Sequence, residues 1–464
     1  MMSKPFWFSI ILLLFAAACA PSQPAADLPQ ETESIAAIAI EAESTEAATA
    51  TTEAPPNLAI VPETLSQLSL LWNANFPGDV DNYSSCISIE QECPLATNIS
   101  DYAFSPDGST LALGICLGLR TEDRTDGDID AWGCTGETAI VLYDSAMGDE
   151  RGRLATAALP LALAFHPDGA ILAAGLANSD IELWDLSNAE LSATLTGDRR
   201  KTGYNRLAFV LDGSMLIANS GGVIGLELWD WRSADLLAMI ERGFGFGVSP
   251  DGGSLATLNF GESFGDDADA IRVYDLTDLD SFSEFPIDLD QPIPTIFHFS
   301  PDGGMIAGRP AGFGAFHVNF WDIASTDLVA SWDYDREFDQ TGMDLELNSP
   351  GFTPEGYFLV TRFGELNTPE AQPEATGLEA ALWQCGFALA DVAADQIFYH
   401  SLPMPIEECE GPEYLYLLFG LGGSPQILSP DGRFIAAEDG WGSLRVWGIN
   451  ASLPAVPPEC SGDC

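Results

Sequence analysis

One phrase recurs seven times along the chain, and its recurrence constrains the fold more than any other feature. An apolar strand runs into a Pro-Asp-Gly turn, and a second strand follows. The phrase stands as Phe104-Ser105-Pro106-Asp107-Gly108, Phe165-His166-Pro167-Asp168-Gly169, Ser249-Pro250-Asp251-Gly252, Phe299-Ser300-Pro301-Asp302-Gly303 and Ser429-Pro430-Asp431-Gly432. Looser copies are Leu211-Asp212-Gly213 and Thr353-Pro354-Glu355-Gly356. Proline presets φ at the first turn position, aspartate bonds nearby amides, and glycine accepts φ > 0. Each copy therefore reads as a tight hairpin between two strands.

A second phrase follows each turn: alternating apolar residues that end in an aromatic, usually followed by aspartate. The copies are Leu142-Tyr143-Asp144, Leu183-Trp184-Asp185, Leu228-Trp229-Asp230, Val273-Tyr274-Asp275, Phe320-Trp321-Asp322, Leu382-Trp383-Gln384 and Val446-Trp447-Gly448. The alternation Ile181-Glu182-Leu183 marks a strand with one face buried. Seven turns pair in order with seven strand ends. This pattern resembles the WD-repeat β-propeller family, over roughly Pro62 to Asn450. The resemblance implies an all-β fold of seven four-stranded antiparallel blades around a central channel. The family often has Gly-His before a repeat, part of a hydrogen-bond network with the Trp-Asp end. Here the matching stretch is Thr196-Gly197-Asp198, which puts that network in question. A six-bladed propeller with the same Ser-Pro-Asp-Gly turn is the second architecture, but its repeats lack a regular aromatic-Asp ending.

Blades one to six each have an apolar stretch after the aromatic-Asp end, such as Leu191 to Thr196, Leu236 to Ile240 and Leu328 to Trp332. The seventh does not. After Trp447 come Gly448-Ile449-Asn450, then Pro454, Pro457 and Pro458, which do not suit a ladder. The unassigned stretch Leu65 to Trp72 is expected to supply the missing outer strand beside Leu444 to Trp447, which is how the resembled family commonly closes its ring.

Residues 1–18 read as an export signal. Lys4 precedes the apolar run Phe6 to Phe15, and Ala16-Ala17-Ala18 follow. The run is shorter than the roughly 20 apolar residues of a membrane-spanning helix. The Ala-Ala-Ala-Cys junction resembles the bacterial lipobox, with Ala16 where leucine is usual, and the resemblance implies lipid on Cys19. Acyl chains add about 0.8 kcal/mol per buried CH₂. Residues 19–61, rich in Ala, Thr, Glu and Pro, read as a disordered tether with a reach on the order of 35 Å. Residues 62–464 are then the propeller with a short Pro/Cys tail.

Lys+Arg total 17 against Asp+Glu 70, a formal net charge of −53. Such a surface repels phosphate backbones and anionic headgroups, which excludes nucleic-acid binding. It favours solubility in a salty medium or a cationic or calcium-bearing partner. Eight cysteines remain after Cys19, in near-neighbour pairs: Cys86 with Cys93, Cys116 with Cys134, Cys385 with Cys409, Cys460 with Cys464. In an exported chain they read as disulfides, and the lack of CxxC pairs and the scarcity of histidine argue against zinc.

The chain offers little for catalysis. Gly261-Glu262-Ser263-Phe264-Gly265 has the nucleophile-elbow pattern, but it leads into a strand, not a helix. Gly243-Phe244-Gly245-Phe246-Gly247 lacks phosphate-loop spacing and reads as a close-packed strand. Of the four histidines, His166, His298, His317 and His400, the first two fall in blade-entry strands and read as structural. Asp126, Asp128 and Asp130 with Glu137 at the twelfth position resemble an EF-hand calcium loop, with Ala131 where the turn glycine belongs. Calcium is one reading of that loop; a solvated acidic insertion stapled by Cys116 and Cys134 is the plainer one. No other cofactor is implied.

The expected function is a lipid-anchored, exported propeller that binds a protein or peptide, contacts the membrane only through its anchor, and catalyses nothing. The alternative is a hydrolase or lactonase-like enzyme with its site at the channel mouth. The lipobox reading has a direct outcome: Cys19→Ser should move the protein out of the membrane fraction on fractionation, and retention at the wild-type level would refute lipid anchoring.

Overall fold

A computed structural model describes residues 59–77, 92–94, 98–118, 120–123, 131–197, 203–220, 225–260, 270–285, 287, 293–309, 316–334, 346–363, 386–394, 396–399, 427–438, 442–453 and 459–461. They belong to one unit, Ala54–Cys464. Seven antiparallel sheets repeat the same meander. Blade 1 is Ile99–Phe104, Thr110–Cys116, Thr138–Asp144 and Glu150–Thr156, from the innermost strand outward. Blade 2 is Pro160–Phe165, Ile171–Leu176, Asp180–Asp185 and Glu190–Thr196, and blade 3 is Tyr204–Val210, Met215–Ser220, Gly225–Asp230 and Asp235–Glu241. Blade 4 is Gly243–Val248, Ser254–Asn259, Ala270–Asp275 and Asp278–Phe285, and blade 5 is Ile296–Phe299, Met305–Arg309, Phe316–Asp322 and Leu328–Tyr334. Blade 6 begins Glu346–Phe352, Phe358–Phe363, Gly386–Asp391 and Gln396–Tyr399; blade 7 runs Ile427–Leu428, Phe434–Glu438 and Ser443–Ile449.

The core lies between blades. Its apolar clusters each join two neighbours: Ile140 and Leu154 meet Leu163 and Leu172 between blades 1 and 2, and Val210 and Leu228 meet Phe246 and Leu255 between blades 3 and 4. Central strands are therefore covered on both faces. This corrects the one-faced reading of Ile181-Glu182-Leu183. Ile181 and Leu183 pack toward blade 3, Trp184 packs toward blade 1, and Glu182 is buried as well.

The recurring turn owes its shape to its serine and aspartate. Ser105, Ser249, Ser300 and Ser429 each donate a hydroxyl to the aspartate two residues on, at 2.5–2.7 Å. The same hydroxyls accept the amide five residues on, as at Thr110, Ser254, Met305 and Phe434. The glycines that end these turns have φ near +70°. In blade 4, Gly243-Phe244-Gly245-Phe246-Gly247 is the innermost strand, as read. A Cβ at Gly245 or Gly247 would collide with the carbonyls of Thr295 or Phe297 on the next blade.

The ring closes as expected. Leu68–Asn75 pairs antiparallel with Ser443–Ile449, in the register Leu70↔Trp447 and Trp72↔Val446 across a bulge. The strand starts later than read, because Pro62–Gln67 form a 3₁₀ turn with proline at its start and Thr64 Oγ1 accepting the Val61 amide. The folded part also starts earlier: Ile60 is buried and donates its amide to Gly432 O at 2.8 Å. From this strand Trp72 crosses to blade 1, donating Nε1–H to Ser145 O at 2.8 Å and packing 5.4 Å from the Tyr143 ring.

Blade 6 differs from the sequence reading in two places. The third strand of blade 6 is Gly386–Asp391, not a stretch ending at Leu382-Trp383-Gln384, which lies outside the described residues. Ala390 stands in the aromatic's place. The neighbours supply the ring volume instead, with Phe320, Trp332 and Phe352 gathered around Phe358 beside it. The C-terminal tail also adds a strand that the sequence reading did not anticipate. Beyond Pro458, Glu459–Ser461 pairs with Gln396–Tyr399 as a fifth strand of blade 6, because these residues, unlike proline, have amides to donate.

Two outcomes follow. Trp72→Ala removes a half-buried ring and leaves the Ser145 carbonyl without its donor. It should cost about 2–3 kcal/mol in urea unfolding, somewhat below a fully buried tryptophan, whereas deleting residues 20–54 should cost nothing measurable. Asp302 is held below the usual carboxylate range by the Ser300 hydroxyl first and then the Gly304 amide. Its folded pKa lies below the unfolded one, so its contribution is full above an unfolded pKa of about 3.9 and is lost as pH falls through the lower folded value. Asp302→Ala should melt below wild type at pH 7, and the gap should close in acid; a gap independent of pH would refute this.

Candidate functional site: the two ends of the propeller

Strand order fixes what stands at each end of the ring. In blades 1 to 6 the first-to-second and third-to-fourth turns share one end, and in blade 7 the first-to-second turn lies there too. The second-to-third turns and the passages to the next blade share the other.

The first end is built of tight turns. Besides Asp302, the carboxyls of Asp107 and Asp251 are lowered chiefly by their serine hydroxyls. Those of Asp185 and Asp275 are lowered chiefly by Ser187 and Thr277, and those of Asp230 and Asp322 by the Ser233 and Ser325 amides. These aspartates spend their acceptors on their own backbone. Neighbouring turns also join: Leu211 donates its amide to Gly252 O at 3.0 Å, and Arg433 Nη2 donates to Asp107 O at 3.1 Å. His166 belongs to this rim. Its Nε2 lies 3.1 Å from Gly213 O, and its ring stands edge-on to Phe209 and Trp231 at 5.0 and 5.6 Å. It is structural, as expected.

The other end carries the long connections. They are residues 76–98 entering blade 1, 117–137 within it, 260–269 in blade 4, 286–295 before blade 5, 335–345 before blade 6, 364–385 within it and 400–426 before blade 7. Many of the residues singled out in the sequence fall in them. Cys86, Cys385, Cys409, Asp126, Asp128, Asp130, Gly261 to Gly265 and His400 lie outside the described residues, as does Cys464 in the tail. A three-stranded sheet rises at this end from two connections: Glu92–Pro94, Arg120–Asp123 and Ala131–Cys134, with Glu92↔Asp123 and Arg120↔Cys134 opposite each other. Cys93 is in its first strand; Cys460 is in the fifth strand of blade 6.

A disulfide joins Cys116, at the buried end of a blade 1 strand, to Cys134 in the sheet, with Cα atoms 5.7 Å apart. It is one of the four pairs expected; each other pair has a member outside the described residues. The loop-closure model gives a link of this span about 3 kcal/mol. Glu137 sits exposed at the hairpin's foot, where its carbonyl accepts the Leu117 amide at 2.7 Å. Among the described residues no group of three His, Cys, Asp or Glu side chains is placed to hold a metal.

The hydrogen-bond network put in question by the missing Gly-His has a substitute. Trp229 Nε1 donates to the buried Glu227 carboxylate at 3.1 Å, and the Tyr204 hydroxyl donates to it at 2.8 Å. In blade 2, Glu182 accepts from Trp184 Nε1 at 3.2 Å and from the Ala157 amide at 3.0 Å, and burial pushes its carboxyl up. The signal was a glutamate two residues before tryptophan inside an apolar strand.

Residues 156–185, the end of blade 1 and three strands of blade 2, match the family model described as WD domain, G-beta repeat. No curated protein matches the chain. Similar solved structures include one titled "Crystal Structure of Mitotic Checkpoint Complex", at 13% identity over 89% of this chain and 98% of that one, with a TM-score of 0.49. Another is Kuenenia stuttgartiensis hydrazine synthase, at 16% identity over 80% and 100%, with a TM-score of 0.47. With one matched repeat set in a closed ring of seven antiparallel blades, the chain is a seven-bladed β-propeller that carries a WD-type repeat in its second blade.

Proposed function

We propose that this propeller is a binding platform whose protein or peptide partner docks on the end that carries the long connections. The observation behind this reading is the asymmetry of the two ends. One end is spent on tight turns whose aspartates bond their own amides. The other carries the disulfide and the extra sheet, and by strand order it is where the long connections leave and re-enter the ring. Loops presented by a rigid scaffold are where binding residues concentrate.

The net charge of −53 supports a cationic partner, because long-range attraction raises the encounter rate. The signal-like segment and Cys19 support an exported protein held to the outer face of a membrane by lipid. Among the described residues no helix is long and apolar enough to cross a membrane. In this reading the protein catalyses nothing. A hydrolase at the channel mouth is the second reading, without a specific residue set in its favour.

Photo-crosslinkers at single exposed positions test the docking face. At Leu117 or Asn178, on the loop-bearing end, they should capture one discrete partner in the native envelope. At Asn188 or Ser233, on the turn end, they should not. Capture at the turn end alone would overturn the assignment.

A further inference from the structure

The channel holds a polar group of side chains that neither end explains. Arg206, on the innermost strand of blade 3, lays its guanidinium over Phe246 of blade 4, 5.0 Å from the ring centroid. The same guanidinium acts electrostatically on His298 of blade 5 and feels the Asp101 carboxylate of blade 1. A group rooted in blade 3 that senses blades 1, 4 and 5 stands in the shared lumen, since the apolar clusters join only adjacent blades. Its accessibility agrees. Protein surrounds Arg206 closely enough for desolvation to lower its pKa, yet the residue keeps part of its surface wet, as in a narrow channel. Among the described residues no acceptor is hydrogen-bonded to its guanidinium, which carries five donors.

His298 is the blade 5 group within its electrostatic reach. A Cβ at Gly351 of blade 6, where φ is +109°, would lie 2.6 Å from His298 Nδ1, so the imidazole rests against bare backbone. Its Nε2 is buried without a hydrogen-bond partner among the described residues. Arg309 is its diagonal neighbour on the next strand, given the register His298↔Ala307 and Ile296↔Arg309, and adds a second positive charge. Burial first, then Arg309 and Arg206, hold His298 down to about 3, so the ring is neutral at physiological pH. Of the acids nearby, Asp101 on blade 1 is within electrostatic reach of Arg206. Asp101 Oδ2 accepts the Leu163 amide at 2.7 Å, and Tyr102 lies between Asp101 and Glu438.

We propose that the channel wall formed by blades 3 to 5 binds a small oxyanion, a carboxylate or a phosphate group, between Arg206 and His298. Arg206 supplies charge and a planar fork of donors suited to two oxygens. The neutral His298 ring, in its Nε2–H tautomer, gives one further donor. Arg309 adds attraction from behind the ring. In a chain with 17 cationic residues against 70 acidic ones, two arginines converge on this stretch of lumen. The site is independent of whatever docks on the loop-bearing end.

Titration calorimetry on the full propeller, at an ionic strength that screens distant carboxylates, tests it with inorganic phosphate and, separately, succinate. Saturable binding of at least one probe at one site per chain is expected, and which probe binds identifies the head group. Arg206→Gln should weaken that binding at least about tenfold, the loss of charge-assisted hydrogen bonds. Arg153→Gln, which removes an exposed ion pair with Glu150, should not change it. His298→Asn gives an independent reading should Arg206→Gln fail to fold, and it should weaken binding several-fold. No saturable binding of either probe, or wild-type affinity in both channel variants, would overturn the proposal.

Discussion

Everything in this molecule depends on the pairing of Leu68–Asn75 with Ser443–Ile449. A propeller blade has no core of its own, because its apolar side chains face the neighbouring blades. An open array would leave two blade faces and the edge of the last sheet in water. Joining the two ends of the folded chain converts seven marginal sheets into one closed structure. The strand does this through side chains as much as through its ladder, for Trp72 leaves blade 7 to bond and pack on blade 1. The Phe104 and Phe434 rings stack 6.3 Å apart at the same junction, and Glu438 donates its amide to the Tyr102 hydroxyl at 3.2 Å.

The blade pattern was legible because its signals are local. A Ser-Pro-Asp-Gly turn carries its own hydrogen bonds within five residues, so it reads the same in any context. The closing strand was legible by elimination, since one outer strand was missing at one end and one strand-like stretch was spare at the other. Context-dependent features were not legible. Ala390 takes an aromatic's position because Phe320 and Phe352 fill the volume from elsewhere in the fold. Glu182 looked like the wet half of an alternation until the Ala157 amide and the Trp184 indole gave it partners. Arg206 and His298 lie some ninety residues apart in the chain and meet only because a ring brings blades 3 and 5 to one lumen.

The candidate site was legible in single features more than in its location. The disulfide Cys116–Cys134 follows from near spacing, and it formed where a buried strand end meets a hairpin. The acidic triplet Asp126, Asp128 and Asp130 belongs to that hairpin's connection, outside the described residues. Its reading as a calcium loop rests on spacing alone. Sequence could rank the insertions as unusual, but only the strand order shows that they share one end of the ring.

The charge imbalance gives a further reason for where the arginines stand. With so few cations, the described ones serve contacts that an acidic chain could not otherwise make. Arg433 bonds Asp431 and reaches Asp107 O of blade 1, so it spans the closure. Arg272 ties Glu284 across the outer pair of blade 4 at 3.0 Å, and Arg151 ties Asp144 across that of blade 1 at 2.7 Å. Each pair is partly exposed and individually weak, worth about 0–1 kcal/mol. Their value is positional, because they neutralise acids where strands or blades must approach. Arg206 is the exception, since its guanidinium is hydrogen-bonded to no acceptor among the described residues. Its contact is the face of the Phe246 ring on the next blade, which leaves its hydrogen-bond donors unspent, and this is the physical ground for assigning it to a ligand.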